Sequence, residues 1–406
     1  MPSATRPAPS GPAHVAVVSF LAARAAPTGG FWIALAGGVA LARVAQRRDA
    51  RQGYGASLAA MLETVAIIGP ARFAIPFTQA VSAPMLGRLD ARSVGVPLQV
   101  LACALVRVLH NTATTAFFIW VITGGLDAYA GTYDALGGRL GLEVGTAEAL
   151  VLTALGLIGW ALFASTVQVL VYRRGLREWD ELAAAALEPR ADPVPAEGAG
   201  PGRFDPRAVA LAAAVAFGLL LASTAWILLA CVSAWLALAW ASSRPDRAPV
   251  PTGLALAALL ALGALIFGLG GGLGLDVALR RALRAALLVL VATWLRSAAR
   301  AEGLREVTRR ALGRVRRLPA VPETTRVLDE IASEGRLLAA GRSLTASLRG
   351  VEKSPLPVLD AVLGWVVRES TAFRPGQVAP PAAPLRVSSA DWALVALAAA
   401  PALALA

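Results

Sequence analysis

Long apolar runs alternate along the chain with short arginine-rich segments. A transmembrane helix needs about 20 mostly apolar residues. Runs of roughly that kind lie at residues 28–45, 93–123, 148–172, 207–225, 226–242, 252–272, 275–295 and 390–406. The pattern therefore predicts an all-α polytopic integral membrane protein located in the cell membrane.

One further apolar segment, residues 54–87, is interrupted. Pro70, Pro76 and Pro84 break it, and Glu63 and Arg72 lie inside it. Proline ends or kinks a helix because it lacks a backbone N–H. The segment therefore predicts either two short half-helices or a re-entrant hairpin, a form that is tolerated only where protein or a cavity covers it.

Charged residues orient the predicted spans. Residues 124–147 carry three acidic side chains against Arg139 alone, which indicates the outer face. Arginine clusters mark the cytoplasmic face under the positive-inside rule; they are Arg43, Arg47, Arg48 and Arg51, then Arg88 and Arg92, and then Arg173, Arg174 and Arg177. Arg280, Arg281 and Arg284 fall near the outer end of a predicted span, so they must snorkel or face the protein interior.

Composition agrees with a membrane protein and excludes several other classes. The 406 residues are 57% hydrophobic and 16% charged, whereas soluble chains average about 25% charged residues. The net charge of +12 lies beside apolar runs, which predicts anchoring to anionic lipid rather than nucleic-acid binding. The two cysteines lie in apolar runs, and no Cys/His cluster occurs, so we expect no disulfide framework, metal site or cofactor.

Changes in composition divide the chain. Residues 1–13 are Pro-rich and polar and predict a disordered tail. Residues 181–203 are rich in Pro, Gly and acidic side chains and predict a flexible linker. The remainder forms two predicted modules, an N-terminal membrane module at 14–180 and a second membrane module at 204–406.

Residues 296–386 form a basic block without a membrane span, and we expect cytoplasmic amphipathic helices there. An apolar stripe of Leu304, Val307, Ala311, Val315 and Leu318 predicts the first helix. A second helix opens at Glu323, with Val327, Ile331 and Leu338 on one face and Glu334, Arg336 and Arg342 around it. The block could lie on anionic lipid or dock a cytoplasmic subunit. Its 16 basic and nine acidic residues favour docking, because an adhesion surface for anionic lipid has little use for acids.

Five short segments carry a resemblance to a known family. They are Phe204-Asp205-Pro206-Arg207, the arginine at 280 or 284, Gly341-Arg342-Ser343, Val367-Arg368-Glu369 and Asp391-Trp392. In this order they resemble the transmembrane T-component of energy-coupling factor (ECF) transporters, which are ABC-type importers. The family pattern has Leu where this chain has Phe204, and Ala-Arg-Gly where it has the two arginine triplets.

The resemblance implies a function for the C-terminal half. It implies coupling of cytoplasmic ABC-type ATPase subunits to uptake of a small solute of the vitamin or metal-ion class. Arg342 and Arg368 would grip the ATPases, and Glu334 and Arg336 are further candidates for that contact. The N-terminal module could then act as a fused substrate-binding partner, or a separate substrate-binding membrane subunit could join the complex.

Polar residues inside the 93–123 run mark a second candidate site. Arg107, Asn111 and Thr114 share one helical face, and His110 lies beside it. A central Arg in a span costs at least ~2.5–3.5 kcal/mol, so such a residue faces a cavity or a partner helix. We expect Glu63 to pair with Arg72 or Arg107. The candidate substrate pocket comprises Glu63, Arg72, Gln79, Arg107, His110 and Asn111; the alternative is an interhelical hydrogen-bond network.

Catalytic motifs are absent from the sequence. No Gly-x-x-x-x-Gly-Lys-[Ser/Thr] phosphate loop occurs, so any coupled ATP hydrolysis belongs to partner subunits. Three hypotheses remain open at this point. They are the ECF-type coupling component, a self-contained secondary transporter or channel that uses the buried Glu/Arg/His cluster, and a membrane scaffold without transport activity.

Overall fold

Helices make up all regular secondary structure in the described part of this computed structural model, which confirms the predicted all-α fold. The structure describes residues 9–26, 29–70, 76–138, 141, 143–184, 202–270, 273–315, 317–331, 334–373 and 387–404. The helices are α1 (Ser10–Ala25), α2 (Gly30–Arg47), α3 (Ala50–Ile68), α4 (Pro76–Ala91), α5 (Val96–Phe117), α6 (Leu126–Gly138), α7 (Thr146–Ala184), α8 (Pro206–Ala222), α9 (Trp226–Ser242), α10 (Val250–Gly270), α11 (Leu275–Arg314), α12 (Val321–Glu330), α13 (Glu334–Ser347), α14 (Pro355–Ala372) and α15 (Ser389–Ala399). A π-helical turn, Phe118–Thr123, extends α5, and a 3₁₀ turn, Ala400–Ala404, extends α15.

Capping side chains explain where several helices begin. Asp49 accepts a hydrogen bond from the backbone N–H of Gln52 at the start of α3. Ser388 and Asp391 form a capping box at the start of α15. These contacts satisfy N–H groups that the first turn of a helix leaves without partners.

Three helices are long and apolar enough to cross a membrane. They are α5 with its π-helical turn, α7 and α10, and most of their apolar surface lies exposed. Leu105, Leu155 and Leu259, for example, are each about 60% exposed. Three shorter apolar helices, α8, α9 and α15, coincide in sequence with the predicted spans at 207–225, 226–242 and 390–406.

Helices α2 and α11, at the predicted spans 28–45 and 275–295, have different surroundings from these three helices. Helix α2 is buried among its neighbours from Ile33 to Ala45, so its apolar residues contact protein. Its glycines allow this close packing, because a Cβ at Gly38 would lie 1.7 Å from the Tyr172 hydroxyl. Helix α11 is long but carries buried arginines. Neither helix meets the length and composition criteria for a membrane span.

Two main hydrophobic cores cut across the predicted modules. The first contains α1–α4 and the second half of α7, together with α12–α14 from the C-terminal half of the chain. The second contains α8, α9, α15 and the first half of α11. The block at 296–386 therefore contributes to both cores, and residues 362–367 of α14 are all buried.

The predicted module boundaries also shift. Helix α1 begins at Ser10, and residues 10–20 are buried, so residues 10–13 belong to the fold rather than to a tail. Helix α7 continues to Ala184, into the predicted linker. Residues 1–8 and 185–201 lie outside the described residues.

Helix α11 connects the two cores. Its first half packs against α8 and α10, and its second half packs against α3 and α12. The halves meet at Arg300, whose backbone has φ 58° and ψ 169° instead of helical values. Just beyond this kink, Gly303 lies against Pro206, where a side chain would clash. The second half of α11 therefore passes close to the start of α8.

Candidate functional site

Glu63 forms a buried ion pair with Arg305. The Glu63 side chain is 0% exposed, and the Nε of Arg305 donates to its Oε2 at 2.7 Å while Nη2 donates to Oε1. The predicted pairing with Arg107 is wrong because α3 lies beside the second half of α11, where Arg305 faces it. Arg72, the other predicted partner, lies outside the described residues.

Arg296 joins α11 to α3 at a second point. Its Nε donates to the carbonyl oxygen of Ile67 at 2.6 Å, and Nη1 pairs with Asp246 at 3.3 Å. Ile67 lies in the last turn of α3, where helix carbonyls lack internal partners. One arginine therefore caps α3 and ties it to the connection between α9 and α10.

Arg281 and Arg284 cap the π-helical turn that ends α5. Arg281 donates to the carbonyl oxygens of Thr123 and Gly124, the second at 3.0 Å, and Arg284 donates to Val121. Cations are stabilising at a helix C-terminus, where unpaired carbonyls carry partial negative charge. Two of the three arginines that did not fit the predicted topology thus face the protein interior, and Arg280 pairs with Asp276.

The first and last helices of the C-terminal half begin at the same point. The Asp205 side chain caps α8 and binds the guanidinium of Arg207 at 2.7 Å. The backbone N–H of Asp205 donates to Oδ1 of Asp391 at 2.8 Å, at the start of α15. The Asp-Pro-Arg motif and the Asp-led last helix, on which the family resemblance rests, are therefore in direct contact.

A buried polar network connects α4, α5 and α7. Arg107 Nη2 donates to Gln168 at 2.6 Å, and Gln168 donates to Ser82 at 2.8 Å. Ser82 in turn donates to the backbone of Thr78, whose hydroxyl lies 3.0 Å from the side chain of Gln79. The buried cation of Arg107 thus has an amide as its acceptor, and its Nε has no hydrogen-bond partner among the described residues.

This network contains only part of the predicted substrate pocket. Gln79 and Arg107 lie in it, whereas Glu63 lies elsewhere with Arg305. His110 and Asn111 are half-buried, about one turn beyond Arg107 on α5. Sequence reasoning missed Gln168, although an isolated glutamine inside the apolar run at 148–172 could have revealed it.

The predicted partner-coupling residues lie on the antiparallel hairpin of α13 and α14. Arg342 and Arg368 are both exposed, and Arg336 is half-buried. Trp365 of α14 donates to Ser343 of α13 at 3.1 Å. Arg342 is next to Ser343, and Arg368 lies about one turn after Trp365, so both arginines are close to this contact along their helices. Glu334 begins α13, but its side chain lies outside the described residues.

The predicted apolar faces of the basic block are only partly buried. Val327 and Ile331 are buried as predicted, but Leu338 is 62% exposed and its neighbour Leu337 is buried instead. The prediction treated 323–338 as one helix, whereas α12 and α13 are separate helices and change the register of the face. Val315 and Leu318, the end of the first predicted stripe, are also exposed.

Three predicted arginine clusters gather at one end of the protein, which we call the arginine-rich end. Arg43 and Arg47 both bind Asp180, and Arg173 lies 3.9 Å from Asp90. Arg174 reaches Asp360 of α14 at 3.0 Å. The ends of α2, α4, α7 and α14 are therefore joined by ion pairs.

Neither a metal centre nor a known relative points to a function. Within the described ranges, no three His, Cys, Asp or Glu side chains gather as metal ligands. Cys103 is buried and Cys231 is exposed, and both are free thiols. Comparison of the chain with protein-family models, curated proteins and solved structures finds no match.

Proposed function

We propose that this chain is a polytopic membrane protein that couples cytoplasmic ATPase subunits to its membrane helices, as the T-component of an ECF transporter does. In this proposal α5, α7 and α10 cross the membrane fully, and α8, α9, α15 and the first half of α11 complete the membrane layer. The arginine-rich end faces the cytoplasm, in accord with the positive-inside rule.

The continuous path of α11 is the observation that carries the proposal. The first half of α11 packs among the apolar helices, and its second half reaches α12 and α3 beyond the kink at Arg300. The Arg296–Ile67 contact before the kink and the Glu63–Arg305 contact beyond it bind α11 to α3. A displacement of the cytoplasmic helices would therefore reach the membrane helices as a rigid-body movement.

The α13–α14 hairpin supplies a surface for the ATPases. Arg342 and Arg368 project from it, and the exposed Leu338 lies one turn before Arg342 on α13. Arginine beside exposed apolar surface is a frequent combination at protein interfaces. A guanidinium grips a carboxylate through two parallel hydrogen bonds, which suits the role that the resemblance implies for these arginines.

Transport of the small solute would then depend on partners. The resemblance implies a vitamin or a metal ion as cargo, and ATP hydrolysis on the cytoplasmic subunits. The N-terminal helices could bind substrate directly, or a second membrane subunit could dock on the exposed apolar faces of α5 and α10.

Copurification from membranes of the native host tests the proposal. The unchanged chain should recover ABC-type ATPase subunits in fixed ratio, and Arg342→Glu with Arg368→Glu should lose them. Arg349→Glu is the matched control, because Arg349 is exposed beyond the end of α13 and undergoes the same charge reversal. Recovery of the chain alone in several mild detergents would overturn the proposal, as would equal losses in control and double variant.

A self-contained transporter is the second candidate, and the buried Arg107 favours it. A cation whose acceptor is an amide is suited to attract an anion into the network around Gln168. Under this alternative, gradient-driven uptake of an anion in liposomes without any ATPase would fall in Arg107→Gln. It would be unchanged by reversal of Arg342 and Arg368.

A further inference from the structure

A wide polar cleft separates the second half of α11 from α12. Its volume is about 810 Å³, large enough for a small-molecule ligand. The residues that line it are Glu306, Arg309, Arg310, Gly313, Arg314, Val321, Pro322 and Thr325. None of these residues takes part in the proposed ATPase contact.

The cleft carries an excess of positive charge. Burial opposes ionisation of Glu306, but hydrogen bonds from Arg310 and Arg309 lower its pKa below the ordinary value. Glu306 is therefore a carboxylate at neutral pH, and arginine stays protonated in proteins. Asp329 also lies close enough for its charge to act on Arg309, so three arginines face two acids in and beside the cleft.

Glu306 also arranges the arginines. Arg309 binds it through Nε and Nη2, both at 2.9 Å, and Arg310 binds it through Nε. Nη1 of Arg309 and both terminal nitrogens of Arg310 make no hydrogen bond with a described residue. Arg314 is exposed and makes no hydrogen bond or ion pair with any described residue.

The cleft lies close to the start of the apolar helices. Burial raises the pKa of Asp205, but hydrogen bonds from Arg207 and the charges of Arg207 and Arg310 outweigh it and keep that pKa low. Arg310 is thus near the cap of α8. Val315 and Leu318, which follow Arg314 along the chain, are 47% and 57% exposed.

We propose that the Arg309–Arg310–Arg314 cleft binds a phosphate group. Guanidinium groups match phosphate oxygens with parallel donors, and three arginines line this one cleft. The phosphate can come from the headgroup of an anionic phospholipid or from a soluble phosphate compound. The apolar side chains beside Arg314 and the nearness of α8 suit a lipid, whereas the volume admits either source.

Two binding measurements on the full-length protein separate the sources. In the first, detergent-solubilised protein is exposed to phosphatidylglycerol and phosphatidylcholine, and the lipids retained are identified by native mass spectrometry. In the second, protein in phosphatidylcholine nanodiscs is titrated with inorganic pyrophosphate by calorimetry. Selective retention of phosphatidylglycerol assigns the lipid, and binding of pyrophosphate assigns a soluble ligand.

Matched variants test whether the cleft is responsible. Arg314→Gln removes a side chain that has no hydrogen bond or ion pair with a described residue, so the fold should persist. Arg310→Gln removes a second donor. Each should weaken binding roughly tenfold, the equivalent of one charge-assisted hydrogen bond. Arg349→Gln, an exposed position outside the cleft, should leave binding unchanged.

Either of two results would overturn the inference. One is the absence of binding in both measurements. The other is binding that Arg349→Gln weakens as much as Arg314→Gln does, since this would indicate general attraction to a basic surface. The inference is independent of ATPase docking, which uses the α13–α14 hairpin.

Discussion

Glu63 and Arg305 are 242 positions apart in sequence and form a two-bond ion pair between α3 and α11. The carboxylate is completely buried, whereas the arginine side chain is 26% exposed. The pair joins the core that contains the N-terminal helices to the helix that leads into the apolar bundle. It is therefore a structural link between the two cores.

The unequal burial of this pair predicts unequal effects of mutation. Arg305→Gln leaves a buried carboxylate without its charged partner and should destabilise the protein by about 3–5 kcal/mol. Glu63→Gln leaves an arginine that can still reach water, so its cost should be smaller. Thermal unfolding in detergent measures both.

A double-mutant cycle provides the control for this prediction. The combined Glu63→Gln and Arg305→Gln variant should be more stable than Arg305→Gln alone, because no unpaired buried charge remains. Equal costs for the two single variants, or additive costs in the double, would contradict a direct buried pair.

The backbone conformation of Arg300 predicts that glycine is more stable than alanine at this position, the reverse of their order in a regular helix. At φ 58° and ψ 169°, this position lies in a region that is almost restricted to glycine and costs other residues about 1–3 kcal/mol. Arg300→Gly should therefore be more stable than Arg300→Ala by at least about 1 kcal/mol. Both variants lose the same side chain, so their comparison isolates the backbone.

Thermal unfolding of Arg300→Gly and Arg300→Ala measures which variant is more stable. In a regular helix the order is the opposite, because alanine is favoured over glycine by about 1 kcal/mol. Greater stability of Arg300→Ala would show that α11 runs through this position without a kink.

His14 predicts a loss of stability in mild acid. It is buried on α1, with its ring centroid 4.8 Å from that of Phe373. Burial, and then the positive charge of Arg336, lower its pKa from 6.5 to about 4. Below pH 6.5 His14 becomes protonated in the unfolded chain, whereas in the folded protein it stays neutral down to about pH 4. The free energy of unfolding therefore falls as the pH falls through this window.

The magnitude follows from the size of the pKa shift. Between pH 7 and pH 5 the His14 contribution should reduce the free energy of unfolding by about 2 kcal/mol. His14→Leu should flatten that part of the profile, whereas His110→Gln, at the other histidine of the chain, should not. Unfolding followed over this pH range would refute the prediction if both variants retained the full slope.

The arginines that cap α5 predict a local effect. Arg281→Gln removes hydrogen bonds to the carbonyl oxygens of Thr123 and Gly124. Amide hydrogen exchange over residues 119–125 should accelerate roughly tenfold, as the loss of one charge-assisted bond implies. Arg280→Gln is the adjacent control, because Arg280 pairs with Asp276 within α11; equal acceleration in both variants would argue against capping.

The proposed membrane orientation predicts a labelling pattern. In a background with Cys231→Ser, Glu143→Cys should react with a membrane-impermeant maleimide on intact cells. Arg349→Cys should react only after permeabilisation, since it lies with the cytoplasmic helices. Both positions are exposed, and the remaining Cys103 is buried. The opposite pattern would reverse the topology.

Hydropathy and charge were sufficient to predict most of the apolar helices and the common side of the arginine clusters, but not α1, α6 or α14. Both depend on local properties, since the length of an apolar run and the position of its flanking arginines are visible along the chain. The interruption at 54–87 likewise became two helices: α3 ends at Ile68 and α4 begins at Pro76. Pro84, which was also expected to break the segment, lies inside α4.

The environment of each apolar helix was decided only by the tertiary structure. Helix α2 and helix α10 both read as spans, yet α2 is buried in protein while α10 exposes its leucines. An apolar side chain gains similar free energy from protein and from lipid, so hydropathy does not distinguish them. The close contact between Gly38 and Tyr172 shows that α2 packs against protein.

The partners of the buried charges could not be predicted from the sequence either. Glu63 and Arg107 are both recognisable as polar residues inside apolar segments, and pairing them assumed that α3 packs on α5. The structure instead places α3 against α11, so Glu63 meets Arg305 and Arg107 meets Gln168. The sequence by itself determined which side chains need partners, because burial of charge is costly wherever it occurs. Only the packing of distant helices decided which partners they obtained.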